Sequence, residues 1–201
     1  GEGRMGNFIL FIGTNPWAAV CKNDPTRLTR VVIEEGITTV GEFAFADALG
    51  KYITEVVLPS TMERIGIYAF AFCNRLEKIH LPEGIVEIGT LAFASCPALT
   101  EIQFVGDAPA IAENAFNGVV ATAYYPESNP TWTEEVMQSY GGTLTWEAYT
   151  PVYSGVCGDN LTWTIEDGVL TVSGEGEMWN FGGDVSIPWM TYRDQFTSVV
   201  I

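Results

Sequence analysis

Val40-Gly41-Glu42-Phe43-Ala44-Phe45, Ile65-Gly66-Ile67-Tyr68-Ala69-Phe70, Ile88-Gly89-Thr90-Leu91-Ala92-Phe93 and the degenerate Ile111-Ala112-Glu113-Asn114-Ala115-Phe116 state one phrase four times. Their closing phenylalanines fall at 45, 70, 93 and 116, so the spacings are 25, 23 and 23 residues. A period in this range marks a solenoid, in which each repeat buries its apolar face only against its neighbours. Working outward, the whole repeat reads Leu76-x-x-Ile79-x-Leu81-Pro82-x-x-Ile85-x-x-Ile88-Gly89-x-x-Ala92-Phe93-x-x-Cys96, and Leu99 opens the next copy; earlier copies begin at Ile53 and Leu28. The Leu-x-x-Ile-x-Leu half alternates and reads as a short strand, closed by a proline where no further ladder donor is needed. The Ile-Gly-x-x-Ala-Phe half reads as a tight turn with a short helical or 3-10 return. One strand and one return per repeat predicts a parallel-sheet solenoid of about four repeats over residues 28–119.

Residues 120–150 read as a C-terminal cap over the open apolar end of the stack. Val120-Ala121-Thr122-Ala123-Tyr124-Tyr125-Pro126 keeps the strand-then-proline form, and Leu144, Trp146 and Ala148 alternate as a last strand. Between them Thr131-Trp132-Thr133-Glu134 has capping-box spacing and predicts a helix ended by Gly141-Gly142. From residue 151 the composition turns to Gly, Thr and Trp, and Asp167-Gly168 between two β-rich runs predicts a hairpin.

A longer repeat encloses the short one. Gly174-Glu175-Gly176-Glu177-Met178, Pro188-Trp189 and Ser198-Val199-Val200-Ile201 match Gly1-Glu2-Gly3-Arg4-Met5, Pro16-Trp17 and Arg30-Val31-Val32-Ile33. Residues 1–27 then read as the second half of a small β module. Residues 151–201 read as a partial module that holds the hairpin, with the next repeat strand beginning near 198. Each end complements the other in a neighbouring molecule, which predicts head-to-tail self-association.

The 201 residues carry 9 Lys+Arg against 25 Asp+Glu, a net charge of −16. That balance repels nucleic acid and anionic lipid, both of which need a cationic face. No apolar run reaches the roughly 18–20 residues that span a bilayer, and 47% hydrophobic residues argue against disorder. Cys21, Cys73, Cys96 and Cys157 form no CxxC pair, so neither a zinc ribbon nor a redox motif is indicated. Cys73 and Cys96 occupy one position in adjacent repeats and read as reduced thiols filling the core.

These motifs resemble the BspA-like leucine-rich repeats of bacterial surface proteins, in which Leu-Pro, Ile-Gly-x-x-Ala-Phe and Cys-x-x-Leu recur at this spacing. The likeness covers residues 28–120. The hairpin followed by Gly-x-Gly-x-Met and Pro-Trp is similar to the β module that alternates with such repeats. The resemblance implies a curved leucine-rich repeat solenoid, secreted or held at the cell surface, with any export signal outside these residues. It implies adhesion or recognition without catalysis, usually of a host, matrix or other surface protein.

The candidate contact surface is the outward side of the strands, read as the concave face. One column is Arg30, Glu55, Lys78, Glu101 and Thr122; its neighbour is Val32, Val57, His80, Gln103 and Tyr124. Charge alternates down the first column, so opposite signs face each other across strands. His80 is the only histidine, and any nucleophilic triad has to be built on it. The carboxylates show neither the paired spacing of a glycosidase nor the alternating pattern of a calcium loop, so no catalytic residue, metal or cofactor is expected. The alternative is carbohydrate binding through exposed Trp and Tyr of the cap or β module.

Overall fold

The computed structural model describes residues 3–4, 26, 28–47, 50–181 and 187–201. The expectations placed on Pro16, Trp17, Cys21 and most of the 1–27 half-module lie outside the described residues. The chain divides into two compact units, Gly1–Tyr149 and Thr150–Ile201.

The first unit is a parallel solenoid with eleven described strands: β1 (Gly3–Arg4), β2 (Arg30–Val32), β3 (Ile37–Val40), β4 (Glu55–Val57), β5 (Arg64–Ile65), β6 (Lys78–Leu81), β7 (Glu87–Ile88), β8 (Glu101–Phe104), β9 (Ala110–Ile111), β10 (Val120–Pro126) and β11 (Thr143–Tyr149). They build two faces. On one, β2 pairs with β4, and β6, β8, β10 and β11 follow as a continuous ladder; on the other, β1, β3, β5, β7 and β9 stack in that order. The cap strands β10 and β11 thus extend the repeat ladder, in parallel and in register from Val120↔Thr143 to Pro126↔Tyr149. Side chains alternate as the period of two requires: Ile79, Leu81, Ile102 and Phe104 are buried, and Lys78 and His80 are exposed.

The Ala-Phe returns are turns rather than the helical segments expected from the sequence, and a 3-10 turn forms at Gly50–Tyr52, after the first of them. The reason lies in where the N–H groups point. Phe43 N donates to Ile67 O, Phe45 N to Ala69 O, Phe70 N to Ala92 O, and Phe93 N to Ala115 O, all at 2.8–2.9 Å. A helix would turn these donors back along their own chain, whereas here they run along the stack to the next repeat. The geometry puts Phe43, Tyr68 and Leu91 at φ 54–56° and Asp47, Phe72 and Ser95 at φ 56–63°. Left-handed backbone costs a residue with a Cβ roughly 1–2 kcal/mol, and the inter-repeat ladder offsets it at the same two places in the first three copies; in the fourth the second place is Gly118, at φ 75°.

The phrase Ile-Gly-x-x-Ala-Phe now has a physical reading. Ala44, Ala69, Ala92 and Ala115 are fully buried, and each donates its N–H within its own turn. A Cβ at Gly66 would stand 2.8 Å from Val40 O and 2.9 Å from Glu42 N, so the backbones of successive turns touch there. The closing phenylalanines form one column inside the stack, with ring centroids 5.4–5.5 Å apart from Phe45 through Phe70 and Phe93 to Phe116. Cys73 and Cys96 stack beside them as free, buried thiols.

The cap helix predicted over 131–141 is absent, and turns take its place. Thr131 spends its hydroxyl on Asn129 Oδ1 at 2.6 Å and accepts Ala108 N at 2.8 Å, so it ties the cap to the preceding repeat instead of capping a helix. Trp132 is drawn against Phe104 and Trp146, with its Nε1 donating to Gly106 O at 3.0 Å. The aromatic cluster closes the apolar end of the stack.

Polar clasps also join repeats. Glu35 accepts from Ser60 N, Ser60 Oγ and Thr61 N, at 2.9, 2.9 and 3.3 Å. These bonds, the Ser60 N–H first, hold the Glu35 carboxyl below its ordinary value of 4.5. A depressed folded value means the contribution is present above pH 4.5 and is lost as pH falls through the lower folded value. Melting temperature of the first unit is therefore expected to drop on acidification below pH 4.5. The drop should be smaller in Glu35→Gln, as thermal denaturation across that range will measure.

The second unit is a mixed four-stranded sheet of β12 (Tyr153–Val156), β13 (Leu161–Glu166), β14 (Val169–Gly174) and β15 (Ser198–Val200), in that order. The first three are antiparallel, and β15 is parallel to β14. Asp167 and Gly168 turn the predicted hairpin with φ of 51° and 74°, the paired positive values of a type I′ turn. Its core is Cys157, Leu161, Trp163, Ile165, Leu170 and Val172, covered by aromatic side chains that include Trp189 and Tyr192.

Candidate functional site

The ladder brings the two outward columns together in fixed register. Arg30 stands opposite Glu55 and Val32 opposite Val57; Lys78 faces Glu101 and His80 faces Gln103; Thr122 and Tyr124 continue the columns beside Glu101 and Gln103. Between β4 and β6 the hydrogen-bonded ladder is interrupted, so the surface falls into an upper pair of strands and a lower set of four. Two residues missed in the sequence extend it: Thr145 beside Thr122 and Glu147 beside Tyr124. Their signal was present, because inward Leu144 and Trp146 oblige Thr145 and Glu147 to point outward.

The alternating charges close into an ion pair at one step. Arg30 Nε lies 2.7 Å from Glu55 Oε2, and both side chains are about half exposed, a pair worth at most about 1 kcal/mol. Lys78 and Glu101 share a register but form no ion pair among the described residues, where the other pair is Arg64–Glu87 on the second face. An exposed Lys78 ammonium held on a rigid strand without a partner is available to an external carboxylate. Val32 and Val57 are 50% and 37% exposed, which sets two apolar side chains beside the Arg30–Glu55 pair. At the lower end Tyr149 Oη donates to Phe104 O at 3.0 Å, and burial raises its phenol above the ordinary value. That bond locks the last strand across the ladder beneath Gln103 and Tyr124.

His80 stands exposed on its strand between Ile79 and Leu81, both fully buried. Among the described residues no cluster of three or more His, Cys, Asp or Glu is arranged to hold a metal ion. A hydrogen bond shared with Cys96, together with burial, holds the Cys73 thiol well above its ordinary range, so it stays protonated in the core. No described helix is long and apolar enough to cross a membrane.

The tryptophans divide sharply. Trp132 and Trp163 are buried at 7% and 3% exposure; Trp146 packs on Phe104 and gives its Nε1 to Gln138 O; Trp189 packs on Trp163 and Phe181. Trp179 is 45% exposed, with Nε1 on Asp159 Oδ1 at 3.3 Å.

No curated protein matches the chain. Among solved structures it is similar to a leucine-rich repeat protein from Eubacterium ventriosum, with 20% identity and a TM-score of 0.37 over 75% of this chain. The match covers 54% of that protein, so the chain spans about half of its length. A family model of the BspA-type leucine-rich repeat region matches residues 23–123 in six copies. With the repeat phrase, the parallel ladder and this match together, the chain belongs to the BspA-type leucine-rich repeat family.

Proposed function

We propose that this protein is a non-enzymatic recognition scaffold, exported or held at the cell surface, whose outward strand face binds a protein partner. The observation that supports this most is the pair of registered columns on β2, β4, β6, β8 and β10. They offer exposed apolar and charged side chains and the half-buried Tyr124 on two hydrogen-bonded sets of strands. Interfaces draw their strength from a few such anchors within a neutral surround, and charge sets encounter rate and register. Lys78, without a partner of its own, and His80 and Tyr124 beside it supply the lower patch; Val32 and Val57 supply the upper one.

The reading is tested by surface plasmon resonance against immobilised host and matrix proteins. Lys78→Glu combined with Glu101→Lys is expected to weaken binding at least tenfold while leaving the melting temperature within a degree or two. Unchanged affinity in that variant and in Tyr124→Ala would overturn it. Trp179 and Asp159 favour a second reading, since an exposed indole beside a carboxylate is a fitting platform for a sugar ring. Glycan-array binding that is abolished by Trp179→Ala and untouched by the Lys78 and Glu101 reversal would move the function there.

A further inference from the structure

We propose that the loop opening the third repeat is a docking site for a short acidic segment of another protein, with Arg75 and Lys51 as its cations and Phe72 as its apolar anchor. The site lies outside the outward strand columns and stands whether or not those bind a partner. Tyr52 and Arg75 directly precede Ile53 and Leu76, so they hold one place in adjacent repeats. Ile53 and Leu76 are fully buried, and bonds from Ile53 N to Gly50 O and from Leu76 N to Cys73 O fix the chain as it enters the core. On that frame the Arg75 guanidinium carbon stands 5.1 Å from the centre of the Tyr52 ring, and Lys51 Nζ stands 5.8 Å from the same centre. Two like charges are thus held on one ring. Both side chains are exposed, and neither forms an ion pair among the described residues, where the two pairs take Arg30 and Arg64. The ring contacts order these long side chains in advance, so less freedom is lost when they bind. An anion between them relieves their repulsion, and the planar Arg75 fork accepts a carboxylate through two parallel bonds.

A second observation on the same loop points to a ligand. Phe72, three residues before Arg75, sits at φ 63° and is 40% exposed. The other copies place Asp47, Ser95 and Gly118 at this left-handed position, each small or polar. A bulky ring is an outlier there. A side chain that stands partly in water gives the fold little in return for the strain, and strained positions of this kind cluster at binding sites. Exposed aromatic side chains beside arginine are the residues that anchor protein interfaces.

The charge of the whole chain selects the partner. A nucleic acid or a sulfated polysaccharide extends well past the screening length of about 8 Å at physiological salt. Such a polymer meets Glu55, Glu77 and Glu101 around the site and a net charge of −16 beyond them. A short segment with one or two carboxylates and a single apolar side chain gains from Arg75, Lys51 and Phe72 without reaching those carboxylates. Asp47 sets its direction. Asp47 N donates to Ala71 O at 3.1 Å, which puts Asp47 one repeat from Phe72 in the same column. Its charge turns the carboxylates of the segment toward Arg75 and leaves the apolar side chain on Phe72.

Fluorescence anisotropy on the whole chain, with a labelled heptapeptide of alternating Glu and Leu as the probe, is expected to show binding that weakens severalfold as salt rises. The same peptide with Gln in place of Glu should not bind. Lys51→Gln combined with Arg75→Gln is expected to weaken binding about tenfold, and Tyr124→Ala on the strand face should leave it unchanged. Phe72→Gly should weaken binding severalfold without lowering the melting temperature of the first unit, because glycine enters the left-handed region freely. Absence of binding at millimolar peptide, equal binding of the Gln peptide, tighter binding of a heparin hexasaccharide, or affinity indifferent to the double glutamine variant would each overturn the proposal. A Phe72→Gly protein that melts lower would overturn the role of that ring as an anchor.

Discussion

Phe93→Ala is expected to remove about 3–5 kcal/mol from the stability of the first unit, the range for deleting a buried phenylalanine. Phe93 is fully buried and lies between two rings, Phe70 at 5.5 Å and Phe116 at 5.4 Å, nearly parallel to both. Each such ring pair adds about 0.5–1.5 kcal/mol beyond its buried area. The vacated space cannot easily collapse, because the spacing of the turns is set by the backbone bonds Phe70 N to Ala92 O and Phe93 N to Ala115 O on either side. In a solenoid each repeat is stabilised only by its neighbours, so a hole at Phe93 weakens two interfaces at once. Phe116→Ala provides the comparison: it is equally buried but stacks on one ring among the described residues. It is expected to cost about 1 kcal/mol less. Urea denaturation monitored on the first unit measures both, and an equal or smaller loss for Phe93 would show that the stack contributes nothing as a column.

Much of this column was legible before any coordinates. Alternation in Leu76-x-x-Ile79-x-Leu81 named the inward side chains of β6, and the same alternation assigned Lys78 and His80 to the outward side. Asp167-Gly168 named its own turn, because two consecutive positive φ values leave few residue choices. The returns were not legible. Whether Phe43-Ala44-Phe45 bonds back along its own chain or onward to Ile67 and Ala69 depends on a segment more than twenty residues away, and no local propensity reports it. The same limit explains the cap. Thr131-Trp132-Thr133-Glu134 carries a sound helix-start pattern, yet Thr131 gives its hydroxyl to Asn129 two residues back and accepts from Ala108 in the preceding repeat, and Trp132 finds Phe104; a competing local bond and two tertiary contacts outweighed a local preference worth about 1 kcal/mol.

The candidate surface shows a similar division. Which residues face outward followed from the period of two. Which of them pair did not: equal register places Arg30 against Glu55 and Lys78 against Glu101, but only the first closes to 2.7 Å. Long, exposed side chains gain little from pairing in water and lose rotamer freedom when they do. Their ionic state toward a partner is therefore a property of side-chain placement beyond what the spacing encodes. The exposed Trp179 is another case, since Gly174-Glu175-Gly176-Glu177-Met178-Trp179 has no alternation that tells an inward indole from an outward one.

Gly174→Ala is expected to abolish the fold of the second unit while the first unit keeps its transition. Gly174 closes β14 at φ +124°, a backbone region that residues with a Cβ rarely enter, and it stands opposite Leu161 at the start of β13. An added Cβ would lie 2.0 Å from Asn160 O, 3.1 Å from Asn160 C and 3.2 Å from Leu161 Cα. All three are backbone atoms, so no side-chain rotation relieves the overlap, and the strands have to part where Leu161 enters the core. Backbone strain of this kind costs about 1–3 kcal/mol, and overpacking adds about 1–3 kcal/mol more. A unit of this size rarely has more than about 3–5 kcal/mol to lose. Gly176→Ala separates the two contributions: its φ is +131°, but nothing lies within 4 Å of an added Cβ, so only the strain applies and the unit should survive, weakened. Near-ultraviolet circular dichroism reads the outcome through Trp163, which is buried in this unit. Its signal should vanish in Gly174→Ala and persist in Gly176→Ala. Equal behaviour of the two variants would mean that strain, and not the crossing of Asn160, is what demands glycine there.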